Sequence, residues 1–107
     1  MNKYQNEPEM ERNTELYKAI LSLETVDECI RFFDDLCSIS EIRAIEQRYE
    51  VARLLYDGNI YNSILEKTSA SSATISRVNR SLRYGAGGYQ IVLDRIKKNN
   101  SGDDDLV

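Results

Sequence analysis

Apolar residues recur along this chain at spacings of three and four, the signature of helices that bury one face. Leu16, Ala19, Ile20 and Leu23 predict a first helix that ends between Ser22 and Glu24. Thr25 with Glu28 three residues on forms a capping box, and Cys29, Ile30, Phe33, Leu36 and Cys37 follow it as a second helix. Ser38 with Glu41 is another such box. It opens the longest helix, whose stripe Ile42, Ile45, Tyr49, Ala52 and Leu55 stops at Gly58, a residue suited to the left-handed turn that closes a helix.

Beyond Gly58 the rhythm shortens. Asn59 to Thr68, with Ile60, Ile64 and Leu65, predicts a helix of about two turns. The serine-rich link Ser69-Ala70-Ser71 leads into a helix over Ser72 to Tyr84, so that residues 59–84 read as a helix-turn-helix. Gly85, Gly87 and Gly88 interrupt the pattern before a last helix, Tyr89 to Lys98, carrying Ile91, Val92, Leu93 and Ile96. No strand alternation or internal repeat is visible. The expected fold is all-α, about six helices in a single domain over 10–98, with residues 1–9 a flexible N-terminus and residues 99–107 a flexible acidic tail.

Composition narrows the chemistry. A chain of 107 residues with 41% hydrophobic residues has room for one domain and a modest core. It has no histidine, which removes the commonest general base and metal ligand. Cys29 and Cys37 lack the spacing of a metal or disulfide framework and read as small buried hydrophobes. The N-terminal stretch has no apolar segment of a secretion signal, and no run approaches a membrane span, so the expected compartment is the cytoplasm. Neither a nucleophile with its base nor a metal set stands out, which argues against a hydrolase or transferase.

The formal charge of −4 argues, taken whole, against a nucleic-acid partner. Its distribution reverses that inference. Residues 59–100 carry two acids, Glu66 and Asp94, against Lys67, Arg77, Arg80, Arg83, Arg95, Lys97 and Lys98, and no acid lies between Lys67 and Tyr89. Stepping about 100° per residue along 72–84 puts Ile75, Val78 and Leu82 on one stripe, while Ser72, Ala73, Ser76, Arg80 and Arg83 share another face. Short side chains let such a face approach a groove, and the arginines reach phosphates or the edge of guanine. The N–H groups near Ser71 and Ser72 can bond a phosphate. The same residues also fit a solvated amphipathic helix with ordinary surface arginines.

The order of residues adds a resemblance. Ser71-Ser72-Ala73-Thr74-Ile75-Ser76-Arg77 looks like the turn and recognition helix of bacterial repressors, although Leu65 stands where alanine is usual and Ser69 where glycine is usual. With Arg48, Leu54-Leu55, Gly58 and Ser81-Leu82, the chain resembles the Trp repressor family over about residues 10–98, most strongly across 38–83. The resemblance implies an intertwined homodimer with two helix-turn-helix heads, reading an approximate palindrome in double-stranded DNA across successive major grooves about 34 Å apart.

On that basis the chain is expected to be a sequence-specific transcriptional regulator, a repressor, without catalysis. Lys67, Arg80 and Arg83 would contact phosphate, with Ser71 and Ser72 offering backbone N–H groups, while Ser72, Ala73 and Ser76 would lie nearest the bases. The resemblance also places a small-molecule corepressor site at Ser38, Arg48, Arg77 and Ser81. Two departures argue against tryptophan as that molecule: Val78 replaces a glycine and Arg80 a short polar residue. A different ligand, or none, fits better. Alternatively, Arg48 and Arg77 form a salt-bridged hinge with Glu46 or Glu50. A protein-interaction module without DNA binding is the rival to the whole reading.

Overall fold

The structure, a computed structural model, describes residues 11–105, with side chains through Ser101. Its helices are α1 (Thr14–Leu21), α2 (Val26–Leu36), α3 (Ile39–Tyr56), α4 (Tyr61–Thr68), α5 (Ser72–Tyr84) and α6 (Gly88–Asp105), and no strand occurs among the described residues. The all-α expectation holds. The described chain divides into two compact units at Glu46 and Gln47, so that α3 begins in the first and ends in the second. The expected flexible segment 1–9 lies outside the described residues.

In the first unit, local capping sets the helix starts. Asn13 Oδ1 accepts the Leu16 N–H at 3.2 Å, and Thr25 Oγ1 accepts the Glu28 N–H at 3.1 Å. The return bond of the expected box is displaced: the Glu28 carboxylate accepts the N–H of Glu24, not of Thr25. At Ser38 the box closes in full, with the Ser38 N–H donating to Glu41 Oε1 at 2.8 Å and Ser38 Oγ accepting the Glu41 N–H at 3.2 Å. These helices are amphipathic, yet no described residue of the unit is buried. Phe32 and Phe33 meet edge to face at 5.7 Å, while Leu21, Val26, Ile30 and Ile39 stand exposed. Cys29 is exposed and Cys37 half-buried, correcting their expected place in a core. Among the described residues, the apolar stripe that carries them is covered only in part.

The second unit holds the core. Val51, Ala52 and Leu54 of α3 pack with Ile64 of α4, Ala70 of the turn, Ile75 and Val78 of α5 and Leu93 of α6. Val51 and Leu54 lie outside the stripe read from the sequence, because apolar residues surround this half of α3 and periodicity alone cannot choose its buried side. The helix closes as expected at Gly58, at φ +93, with the Gly58 N–H bonding Leu55 O and the Asn59 N–H bonding Leu54 O. The Asn59 side chain donates to the same Leu54 carbonyl at 3.0 Å. Asn59 therefore finishes α3, and α4 starts two residues later than expected, at Tyr61.

The turn between α4 and α5 is tied at both ends. Thr68 Oγ1 donates to Ile64 O at 2.8 Å and accepts the Ala70 N–H at 3.2 Å, while Gln47 Nε2 donates from α3 to Thr68 O at 3.4 Å. Ser69 takes the left-handed conformation, φ 59 and ψ 10, without being glycine. On α6, Asp94 Oδ1 accepts both the Tyr56 hydroxyl at 2.5 Å and Gln90 Nε2 at 3.0 Å. The carboxylate raises the Tyr56 pKa above the ordinary phenol value. This helix continues past Lys98, its expected end, to Asp105. Asn99, Asn100 and Ser101 are weak helix formers, but no proline follows to stop the helix, and Gly102 costs only about 1 kcal/mol.

A side chain in the left-handed region costs roughly 1 kcal/mol that glycine avoids. Ser69→Gly is therefore expected to stabilise the fold by about 0.5–1 kcal/mol. Urea midpoints for the two proteins check this; an unchanged or lowered midpoint would contradict the strain assigned to Ser69.

Candidate nucleic-acid interface

The α4–turn–α5 head positions α5 through the core contacts just described. Ser71 Oγ caps α5 by accepting the Thr74 N–H at 3.1 Å, which satisfies one of the orphan N–H groups of the helix's first turn. Ile75 and Val78 are buried and Leu82 half-buried, as their stripe predicts. Burying that stripe turns Ser72, Ala73, Ser76, Arg80 and Arg83 to the opposite, exposed side. The structure thus brings these five together on one helix face.

The expected phosphate contacts differ in how far they are already engaged. Lys67, in the last turn of α4, donates from Nζ to Asn59 Oδ1 at 3.0 Å. Arg83 donates from Nε to Asn79 Oδ1 at 3.0 Å. Both groups remain exposed and have further donors. Arg80 is exposed and makes no ion pair or hydrogen bond among the described residues.

Three residues not singled out from the sequence join this face. Tyr61, Asn79 and Tyr84 line a cleft of about 540 Å³ together with Ser76, Arg80 and Ser81. Tyr61 opens α4 and Tyr84 closes α5, so in sequence each marks only a helix boundary. The available signal was chemical: Tyr61 and Tyr84 stand on either side of the cations Lys67, Arg77, Arg80 and Arg83.

The corepressor set is less coherent. Ser38 belongs to the first unit, where its N–H and hydroxyl serve the Glu41 cap. Arg48 and Arg77 are both exposed, and neither makes an ion pair among the described residues, so the expected hinge to Glu46 or Glu50 is not formed. Glu50 instead pairs with Arg53 at 2.5 Å, and the Arg53 hydrogen bond lowers its pKa. The helical register explains the choice, since Arg53 lies one turn along α3 from Glu50. Val78 is directed into the core, and Ser81 lines the cleft beside Arg80. Among the described residues no group of three histidine, cysteine or acidic side chains could hold a metal, and no helix is long and apolar enough to cross a membrane.

Comparison with known proteins agrees with the helical architecture. The profile of the family described as Trp repressor protein matches residues 11–97. The uncharacterized protein YerC of Bacillus subtilis (strain 168) is 55% identical over 84 residues, covering 78% of this chain and 81% of its own. A Staphylococcus aureus protein solved as a candidate Trp repressor superposes with a TM-score of 0.75 at 48% identity, over 78% of this chain and 84% of that one. A TrpR-like protein from Eubacterium eligens ATCC 27750 gives the same TM-score, 0.75, at 52% identity, with 78% and 87% covered.

The Glu41 cap has a pH consequence. The Ser38 N–H and hydroxyl hold the Glu41 carboxyl below its ordinary pKa of 4.5. A carboxyl lowered in the folded state contributes stability that is present above the unfolded value and is lost as pH falls through the folded one. Glu41→Gln is expected to flatten the acid limb of the stability–pH curve while lowering stability at pH 7. Urea midpoints across pH 3–7 test this, and parallel curves for the two proteins would rule it out.

Proposed function

The chain belongs to the Trp repressor family, and from that premise we propose that it regulates transcription as a homodimer, most simply as a repressor, by placing α5 in the major groove of a palindromic operator. The observation that carries this reading is the exposed face of α5, where Ser72, Ala73 and Ser76 are short and Arg80 and Arg83 follow at its C-terminal end. The small residues permit close approach to base edges, and Ser71, Lys67 and the arginines supply phosphate contacts that fix register. Opposite charge then steers association, because the head is basic although the chain is acidic.

The first unit supports the dimer. Its apolar side chains Leu21, Val26, Ile30, Leu36, Ile39 and Ile45 are exposed in the single chain, and a stable monomer rarely leaves so many uncovered. A second copy covers them with the same stripe and completes the core that this unit lacks. Two heads joined through that body would meet successive major grooves roughly 34 Å apart. The reading includes no obligatory tryptophan: Val78 stands where the tryptophan repressors have glycine, and its side chain is committed to the core.

Selection from random duplexes is expected to return a two-fold symmetric sequence whose half-sites lie about one helical turn apart. Ala73→Glu, which sets an acid against the groove on an exposed position, should weaken that binding at least tenfold with an unchanged melting temperature. Recovery of no enriched sequence would contradict the reading. For the dimer, Ile30→Asp is expected to shift the sedimentation coefficient from dimer to monomer and lower thermal stability; a wild-type monomer at micromolar concentration would exclude it.

A further inference from the structure

The cleft beside α5 deepens the DNA-binding reading and rests on it. One wall is Tyr61 in the first turn of α4, and the other is built by Ser76, Asn79, Arg80 and Tyr84 on successive turns of α5. No carboxylate lines it, and its one cation, Arg80, is unengaged, so an anion is the complementary charge. The rings of Tyr61 and Tyr84 are 44% and 61% exposed and offer apolar faces with a hydroxyl at each rim.

The shape of the cleft selects among anions. It is an open trough on the surface of one helix and the start of another, and a small molecule lying there would keep much of its surface in water. Small-molecule sites cover most of their ligand. An extended anionic polymer needs only to be touched along one side, and its repeating phosphate and sugar match a cation next to apolar rings. Ser76 belongs both to this cleft and to the groove-facing side of α5, which makes the two surfaces continuous.

We propose that the cleft seats one strand of the DNA backbone: the Arg80 guanidinium engages a phosphate, the Tyr61 hydroxyl donates to a phosphate oxygen, and the Tyr84 ring packs on deoxyribose. Tyr61 and Tyr84 are then strand-positioning residues that set how α5 enters the groove, while base preference stays with Ser72, Ala73 and Ser76. Arg80 is assigned to the backbone, not to a base. Arg83 sits beside this contact through its bond to Asn79, which holds the wall of the cleft in place.

Fluorescence anisotropy of the full chain on its selected duplex and on a scrambled one, across a series of salt concentrations, tests this. Tyr61→Phe removes one exposed hydroxyl oxygen and keeps the ring, so the fold is undisturbed. It is expected to weaken both duplexes on the order of tenfold, leaving the salt slope and the preference between them unchanged. Arg80→Gln is expected to weaken both and to lower the salt slope by about one. Wild-type affinity and slope in both variants, while Ala73→Glu still weakens binding at least tenfold, would overturn the strand seat and leave the α5 reading standing. Loss of the preference between duplexes in Arg80→Gln would overturn it too, by making Arg80 a base contact. If the wild-type chain bound neither duplex, the DNA-binding reading itself would fall, and the seat with it.

Discussion

The burial of Ile75 and Val78 against Val51, Ala52, Ile64 and Leu93 is the contact on which the rest of the head depends. A helix has one orientation that hides a given stripe, so committing these two residues to the core determines what α5 shows to its surroundings. The outward face is then Ser72, Ala73, Ser76 and Arg80, whatever the chain does elsewhere. Ala70, buried in the turn, and the Thr68 hydroxyl, bonded to Ile64 O and the Ala70 N–H, keep α4 and α5 at the separation this packing requires. The left-handed Ser69 is the local cost of that tight turn. The outward face of the head is accordingly a by-product of core packing: it is polar and short because it is not the face that holds the fold.

The two units follow different physics. Among the described residues, the part from Gln47 onward buries eight hydrophobic side chains and can hold its helices by tertiary contact. The described residues up to Glu46 bury none, and capping at Asn13, Thr25 and Ser38 is the main local support of their helices. Isolated helices of 8 and 11 residues are marginal in water, so capping alone does not maintain them. Acidic charge concentrates in residues 1–40, whereas the head carries Lys67, Arg77, Arg80 and Arg83 against the single acid Glu66. The chain's overall charge of −4 thus hides a division of labour between its halves.

Much of this was legible in the sequence because it is local. Capping boxes, the Gly58 stop, the Ser71 start of α5 and its Ile75–Val78–Leu82 stripe each depend on residues within a turn or two of one another. What escaped depends on residues far apart in sequence. Val51 and Leu54 are core residues only because α4, α5 and α6 arrive on that side of α3. Cys29 belongs to a good apolar stripe, yet it stands exposed, with the stripe only partly covered among the described residues. Tyr61 and Tyr84 lie at opposite ends of the head in sequence, and only the α4–α5 packing makes them two walls of one cleft. The absent Arg48 and Arg77 ion pairs show the same limit, since spacing offered Glu50 as a partner and Arg53 took it.

On the proposed reading, the outward face of α5 is what meets DNA. Backbone amide NMR of the labelled chain, titrated with its selected duplex, tests it most directly. Shifts and line broadening are expected to centre on residues 71–80 and on Tyr61, with the amides of Val51, Ala52 and Leu93 unmoved. Undisturbed α5 resonances, with the changes confined to α1 and α2, would contradict it.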